Sequence, residues 1–97
     1  MSNTYWLNGK YIQKEDAYVS PLTHTLHYGL GAFEGVRSYI AHDEKSVNIF
    51  RLKEHTERLF ESAKIINVEI NHSIDEVMEA QLGVIKKSEL HDAYIRP

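Results

Sequence analysis

The sequence predicts an α+β domain, an antiparallel β-sheet with two α-helices packed against it, and three observations lead there. Short runs such as "TYWLNGKYIQ" and "GVRSYIA" carry the aromatic and β-branched residues of strands. From Arg51 onward the apolar residues switch to helical spacing. Further on, Ser73-Ile-Asp-Glu76 has the pattern of a capping box, in which a hydroxyl and a carboxylate satisfy the first free amide donors of a helix.

The elements follow in order. Asn8-Gly9 lies between two strand-like runs, and a type I′ turn needs φ > 0 at both central residues, so a hairpin opens the domain. After the Pro21 loop and a glycine-rich stretch, Val36, Ser38 and Ile40 alternate with Arg37, Tyr39 and Ala41, which predicts a strand with two distinct faces. The polar "HDEK" then leads into "SVNIF" and predicts a second hairpin. Leu52, His55, Leu59, Ala63 and Ile66 form the stripe of an amphipathic helix from Arg51 to about Ile66. Ile74, Val77, Met78, Gln81 and Ile85 do the same for a helix over 74–88, although Gly83 inside it costs about 1 kcal/mol relative to Ala. "AYIRP" has the composition of a strand. It stops on Pro97 without a polar tail, which reads as a cut within or at the edge of a larger protein.

Composition narrows the function. Ninety-seven residues make one domain, with 42% hydrophobic and 26% charged residues, as in ordinary globular chains. The net charge of −3 lacks the basic footprint of a nucleic-acid binder. Without cysteine there is no disulfide framework and no thiolate metal site, and a reducing compartment is permitted. No apolar run approaches the roughly 20 residues that span a bilayer, and the N-terminus has no signal-peptide pattern.

The chemistry concentrates in "HTLHYGLGAFEGVRSY", residues 24–39, where histidines, tyrosines, three glycines, a buried-looking Phe33 and Arg37 crowd together. Ordinary core building does not need that mixture, so the stretch reads as part of a site. His24 and His27 are three apart, but no third and fourth ligand stands at credible spacing, and no metal site is expected. On their own, Tyr28 and Phe33 read as core aromatics, Arg58 as a snorkelling cation at the border of the helix stripe, and Tyr94 and Arg96 as one face of a strand. Arg37 either faces the site or pairs with a structural carboxylate.

"HYGLGAFEGVRSY", "IFRLKEHTERLFESAK" and "AYIRP", in this order and at these separations, resemble the amino-terminal small domain of branched-chain amino acid aminotransferases, of the pyridoxal-phosphate fold-type IV class. The resemblance covers essentially all 97 residues. D-amino-acid aminotransferases and aminodeoxychorismate lyases share the fold and part of the pattern, and a non-enzymatic self-associating domain is the alternative of another kind.

The resemblance implies a transaminase of leucine, isoleucine and valine with 2-oxoglutarate, working through pyridoxal 5'-phosphate in the cytoplasm as a homodimer or higher homo-oligomer. It implies that Arg58 contacts the cofactor phosphate, a task for which a planar guanidinium is suited. Phe33 then lines the substrate pocket, Tyr94 and Arg96 point into it, and Arg96 receives the distal carboxylate of glutamate. Tyr28 reaches into the partner subunit's site, and Arg37 joins the substrate-binding group with its role open. Gly29, Gly31 and Gly35 become positions where φ > 0 or close approach is needed. None of the seven lysines, Lys10, Lys14, Lys45, Lys53, Lys64, Lys86 and Lys87, matches the family's catalytic lysine. The resemblance therefore assigns residues 1–97 to an N-terminal domain, leaves the reactive amine to a larger C-terminal domain, and implies no turnover by the chain alone.

Overall fold

A computed structural model describes residues 3–97. Strands β1 (Tyr5–Leu7) and β2 (Lys10–Ile12) form the opening hairpin, followed by a short 3-10 turn at Lys14–Asp16. Helix α1 (His24–Tyr28) precedes strands β3 (Val36–Ile40) and β4 (Val47–Ile49). Helices α2 (Leu52–Ile65) and α3 (Ile74–Ser88) lead to the last strand, β5 (Ala93–Ile95). The α+β class is as the sequence predicts, with two differences. The strands fall into two sheets, the pair β1-β2 and a three-stranded antiparallel sheet ordered β4-β3-β5. A third, five-residue helix, α1, occupies the glycine-rich stretch.

Local chemistry explains the elements. Asn8 at φ 51 and Gly9 at φ 88 turn the first hairpin, with Leu7 opposite Lys10. The capping box of α3 is complete: the Glu76 amide donates to Ser73 Oγ and the Ser73 amide donates to the Glu76 carboxylate, both at 3.1 Å. Helix α2 starts and ends one residue inside its expected limits, because Arg51 sits in the left-handed region at φ 50 and the chain leaves the helix at Ile66.

The inner face of the large sheet carries Val36, Ser38 and Ile95, and Val36 and Ile95 pack with Ile85 of α3. Ser38 is fully buried and satisfied twice, donating to the His91 carbonyl at 2.6 Å and accepting from the Ala93 amide at 3.1 Å. It thereby fixes the approach of β5 to β3. The two long helices pack against each other, and Leu59 and Ala63 of α2 and Val77 and Ala80 of α3 are buried. Gln81 is buried too, donating to Thr56 Oγ1 at 2.9 Å and to the Val77 carbonyl at 3.2 Å, while its own Oε1 has no partner among the described residues.

Gly83 has a packing reason. A Cβ there would collide with the hydroxyl end of Tyr11, whose ring lies on α3 and whose Oη donates to the Glu79 carbonyl at 3.3 Å. The helix accepts a poor helix former so that the hairpin can seat against it.

Substitutions separate the two kinds of buried contact. Thr56 Oγ1 already donates to the Leu52 carbonyl, so removing the Gln81 amide leaves no orphan donor behind. Gln81→Met should therefore change the unfolding free energy by less than about 1 kcal/mol. Leu59→Ala, which removes most of a buried side chain, should cost about 2–4 kcal/mol. Chemical denaturation of the two variants checks both.

Candidate functional site

The alternation of β3 runs backward beyond the strand. Glu34, Val36 and Ser38 are buried, whereas Phe33, Gly35, Arg37 and Tyr39 are exposed. The Glu34 amide continues the ladder by donating to the Pro97 carbonyl at 3.1 Å. Glu34 is thus the first inward residue of an extended segment, and its carboxylate is only 6% exposed. A buried carboxylate needs charge-assisted partners to stay ionised.

Helix α2 supplies them. Arg58 Nε donates to Glu34 Oε2 and Arg58 Nη2 to Oε1, both at 2.8 Å, which is a bidentate fork. His55, one turn earlier on the same helix, places Nδ1 2.8 Å from Oε1. An ionised carboxylate only accepts, so Nδ1 carries the hydrogen in this contact. The Arg58 fork, with the His55 contact adding to it against the opposing effect of burial, lowers the Glu34 carboxyl from 4.5 to about 2. The same fork raises Arg58 above its ordinary value. The rest of Arg58 faces solvent, with 64% of its side chain exposed.

The outward face holds the remaining predicted residues. Arg37 stands opposite Tyr94 in the β3-β5 register, and its guanidinium lies 5.8 Å from the Tyr39 ring centre. Arg37 is exposed, and no ion pair of it with a carboxylate occurs among the described residues. Arg96 rests 4.4 Å above the Phe33 ring centre and 5.2 Å from that of Tyr94, and Nη2 donates to Tyr94 Oη at 2.8 Å. Gly35 is the floor beneath this group: a Cβ there would stand 2.7 Å from Tyr94 Oη. The structure thus brings Phe33, Tyr94, Arg96 and Arg37 together and leaves Arg58 on Glu34, on the inward side of the same segment.

Two expectations need correction. Phe33 looked buried in sequence and Tyr28 read as a core aromatic, yet they are 63% and 71% exposed. Tyr28 touches neither group: its ring contacts are His24 at 5.5 Å and His27 at 6.1 Å between centroids. Gly29, at φ 67, ends α1, whereas Gly31 lies against Thr25 and has no positive φ. Glu34 and His55 were missed as site residues. The signal for Glu34 was available, because extending the Val36/Ser38 face by two residues places a carboxylate in the buried row.

The model of the amino-transferase class IV family matches residues 31–97, more than half of the chain. The chain belongs to that family. A branched-chain-amino-acid aminotransferase of Pseudomonas aeruginosa is 49% identical over 92 residues, which cover 95% of this chain and 29% of that protein. The crystal structure of the Escherichia coli branched-chain amino acid aminotransferase superposes with a TM-score of 0.90 at 46% identity, covering 99% of this chain and 31% of that one. The holo form of the Thermobaculum terrenum branched-chain amino acid aminotransferase, which contains pyridoxal phosphate, gives 0.85 at 30% identity, over 98% and 31%. The chain therefore spans only 29% to 31% of the length of these relatives, and its fold is that of their corresponding part.

The Glu34 carboxyl predicts an acid limb of stability. A carboxyl whose folded pKa is depressed stabilises the fold fully above its unfolded value and ceases to do so as pH falls through the folded one. The window here runs from 4.5 down to about 2. Asp43 and Glu76, both exposed and both lowered by hydrogen bonds from nearby backbone amides, contribute an acid limb of their own that a Glu34 variant retains. Wild type should thus lose on the order of 2 kcal/mol more than Glu34→Gln across that window, reduced from the full linkage value because Arg58 is solvent-facing. Denaturant titrations at a series of pH values measure the difference.

Proposed function

We propose that residues 1–97 form the N-terminal domain of a pyridoxal-phosphate-dependent branched-chain amino acid transaminase, and that Arg58 holds the cofactor phosphate. The observation that carries this reading is the half-used guanidinium. Arg58 has five N–H donors, and two of them go to Glu34. The other edge, Nη1 with the second hydrogen of Nη2, is free of Glu34 on a side chain that faces solvent. A planar edge with parallel donors fits two oxygens of a phosphate. The donor set therefore fits the group, and relatives bearing a pyridoxyl adduct, pyridoxamine 5'-phosphate or pyridoxal phosphate support the assignment.

The cofactor, when bound, supplies the electron sink for chemistry at the α-carbon of an amino acid. The residues of this chain bind and orient. Arg58 anchors the phosphate end. Phe33 offers an apolar wall for the branched side chain of leucine, isoleucine or valine, and Arg96 offers a cation for the distal carboxylate of glutamate or 2-oxoglutarate. These demands conflict, since a cation left without a partner beside an apolar side chain is costly. Arg96 meets both because it already rests on the Phe33 ring and donates to Tyr94 Oη. Arg37, on the same face and opposite Tyr94, adds a second positive charge toward a carboxylate.

The catalytic lysine belongs, in this reading, to a C-terminal domain, in keeping with relatives of which the chain covers only 29%. Residues 18–33 expose Tyr18, Val19, Leu22, Leu26, Tyr28 and Phe33, an apolar run suited to cover by that domain and by a second copy. Tyr28 then reaches into the partner subunit's site of a cytoplasmic homo-oligomer.

The isolated 97-residue chain should not transfer the amino group of leucine to 2-oxoglutarate. Borohydride reduction after adding pyridoxal 5'-phosphate, followed by peptide mapping, should trap no lysine at unit stoichiometry. Turnover by a verified preparation, or one stoichiometrically labelled lysine, contradicts the proposal.

A further inference from the structure

We infer that Glu34 is a positioning residue for phosphate binding: it holds the Arg58 guanidinium by its Nε/Nη2 edge, with His55 steadying the carboxylate, so that the Nη1 edge is presented ready-made to the cofactor phosphate. The inference rests on the assignment of Arg58 to that phosphate. It adds that the grip depends on a buried acid next to the cation and not on the cation alone.

The geometry carries the argument. An arginine on a helix surface has four side-chain torsions, and ordering it for a ligand costs conformational entropy at the moment of binding. Here Glu34 fixes the guanidinium plane through two bonds of 2.8 Å, while 64% of the side chain stays accessible. Glu34 cannot follow Arg58 into solvent, because its amide is tied to the Pro97 carbonyl and its carboxylate is 6% exposed. Oε1 accepts from both Arg58 and His55, and the two helix residues lie three apart, so α2 grips the carboxylate at two points.

Coulombic attraction and positioning make opposite forecasts. Glu34 cancels the charge of Arg58, so if charge alone governed phosphate binding, neutralising Glu34 would strengthen it. If positioning governs it, Glu34→Gln weakens it. Glutamine offers one acceptor where the guanidinium presents two donors, and its amide group turns a donor toward Arg58.

The test uses the full-length apo-protein and compares dissociation constants for pyridoxal 5'-phosphate and pyridoxal. The two share ring and aldehyde, so the ratio of the pyridoxal constant to the pyridoxal 5'-phosphate constant isolates the phosphate, and a general loosening of the fold weakens both alike. Arg58→Ala should collapse the ratio. If it does not, the assignment of Arg58 is wrong, whatever Glu34 does. Given that collapse, Glu34→Gln should lower the ratio about tenfold, the scale on which outer partners of a ligand act. An unchanged or raised ratio overturns the positioning role and leaves Arg58 as the phosphate ligand. Should Glu34→Gln fail to fold, ¹⁵N NMR of the wild-type Arg58 side chain decides. The Nε–H signal should be fixed and slow to exchange without cofactor and should persist when pyridoxal 5'-phosphate is added. Loss of that signal on addition means that Arg58 leaves Glu34 for the phosphate and overturns the inference.

Discussion

A buried carboxylate facing a helix-borne guanidinium is the constraint around which the candidate site of this domain is arranged. Glu34 occupies the inward row of an extended segment, where an apolar residue would otherwise complete the face begun by Val36. Putting an acid there is tolerable only with Arg58 and His55 within 2.8 Å, so the strand segment, α2 and the terminal Pro97 must hold fixed relative positions. The contact spans 24 residues of sequence and ties the sheet to the first long helix through the site. Its effect on the folded state is also directional, since it leaves one edge of Arg58 turned to solvent.

Two-residue alternation gives the same segment two uses. Inward, Glu34, Val36 and Ser38 join the sheet to its support. Outward, Phe33, Gly35 and Arg37 build a surface with Tyr94 and Arg96 of the neighbouring strand and its exit. Gly35 permits this because the Tyr94 phenol lies where a side chain would be. The cation of Arg96 is stacked and hydrogen-bonded within the chain itself, which is what the proposed pocket, taking acidic and apolar side chains in turn, requires of it.

Much of this was legible in the residues. The hairpin at Asn8-Gly9, the β3 alternation and the capped helix from Ile74 to Ser88 follow from local turn, pleat and capping chemistry, and local chemistry is what a sequence displays directly. The split into two sheets was not legible, because it depends on α3 seating the first hairpin through Tyr11 and Gly83. Helix α1 escaped notice because its five residues are too few to show a period. Hydrophobicity alone places Phe33 and Tyr28 in an interior, yet both are exposed in this chain, because hydrophobicity describes a tendency and not a position. Glu34 and His55 acquire meaning only together with Arg58, across separations of 21 and 24 residues that spacing rules do not reach.

The most direct test is a crystal structure of the full-length protein with pyridoxal 5'-phosphate. Arg58 should then sit on the phosphate through Nη1 and Nη2 while Nε and Nη2 remain on Glu34, as in the free domain. A phosphate bound without Arg58, or an Arg58 that has swung off Glu34 to reach it, would contradict the claim that the buried carboxylate presents the guanidinium to its ligand.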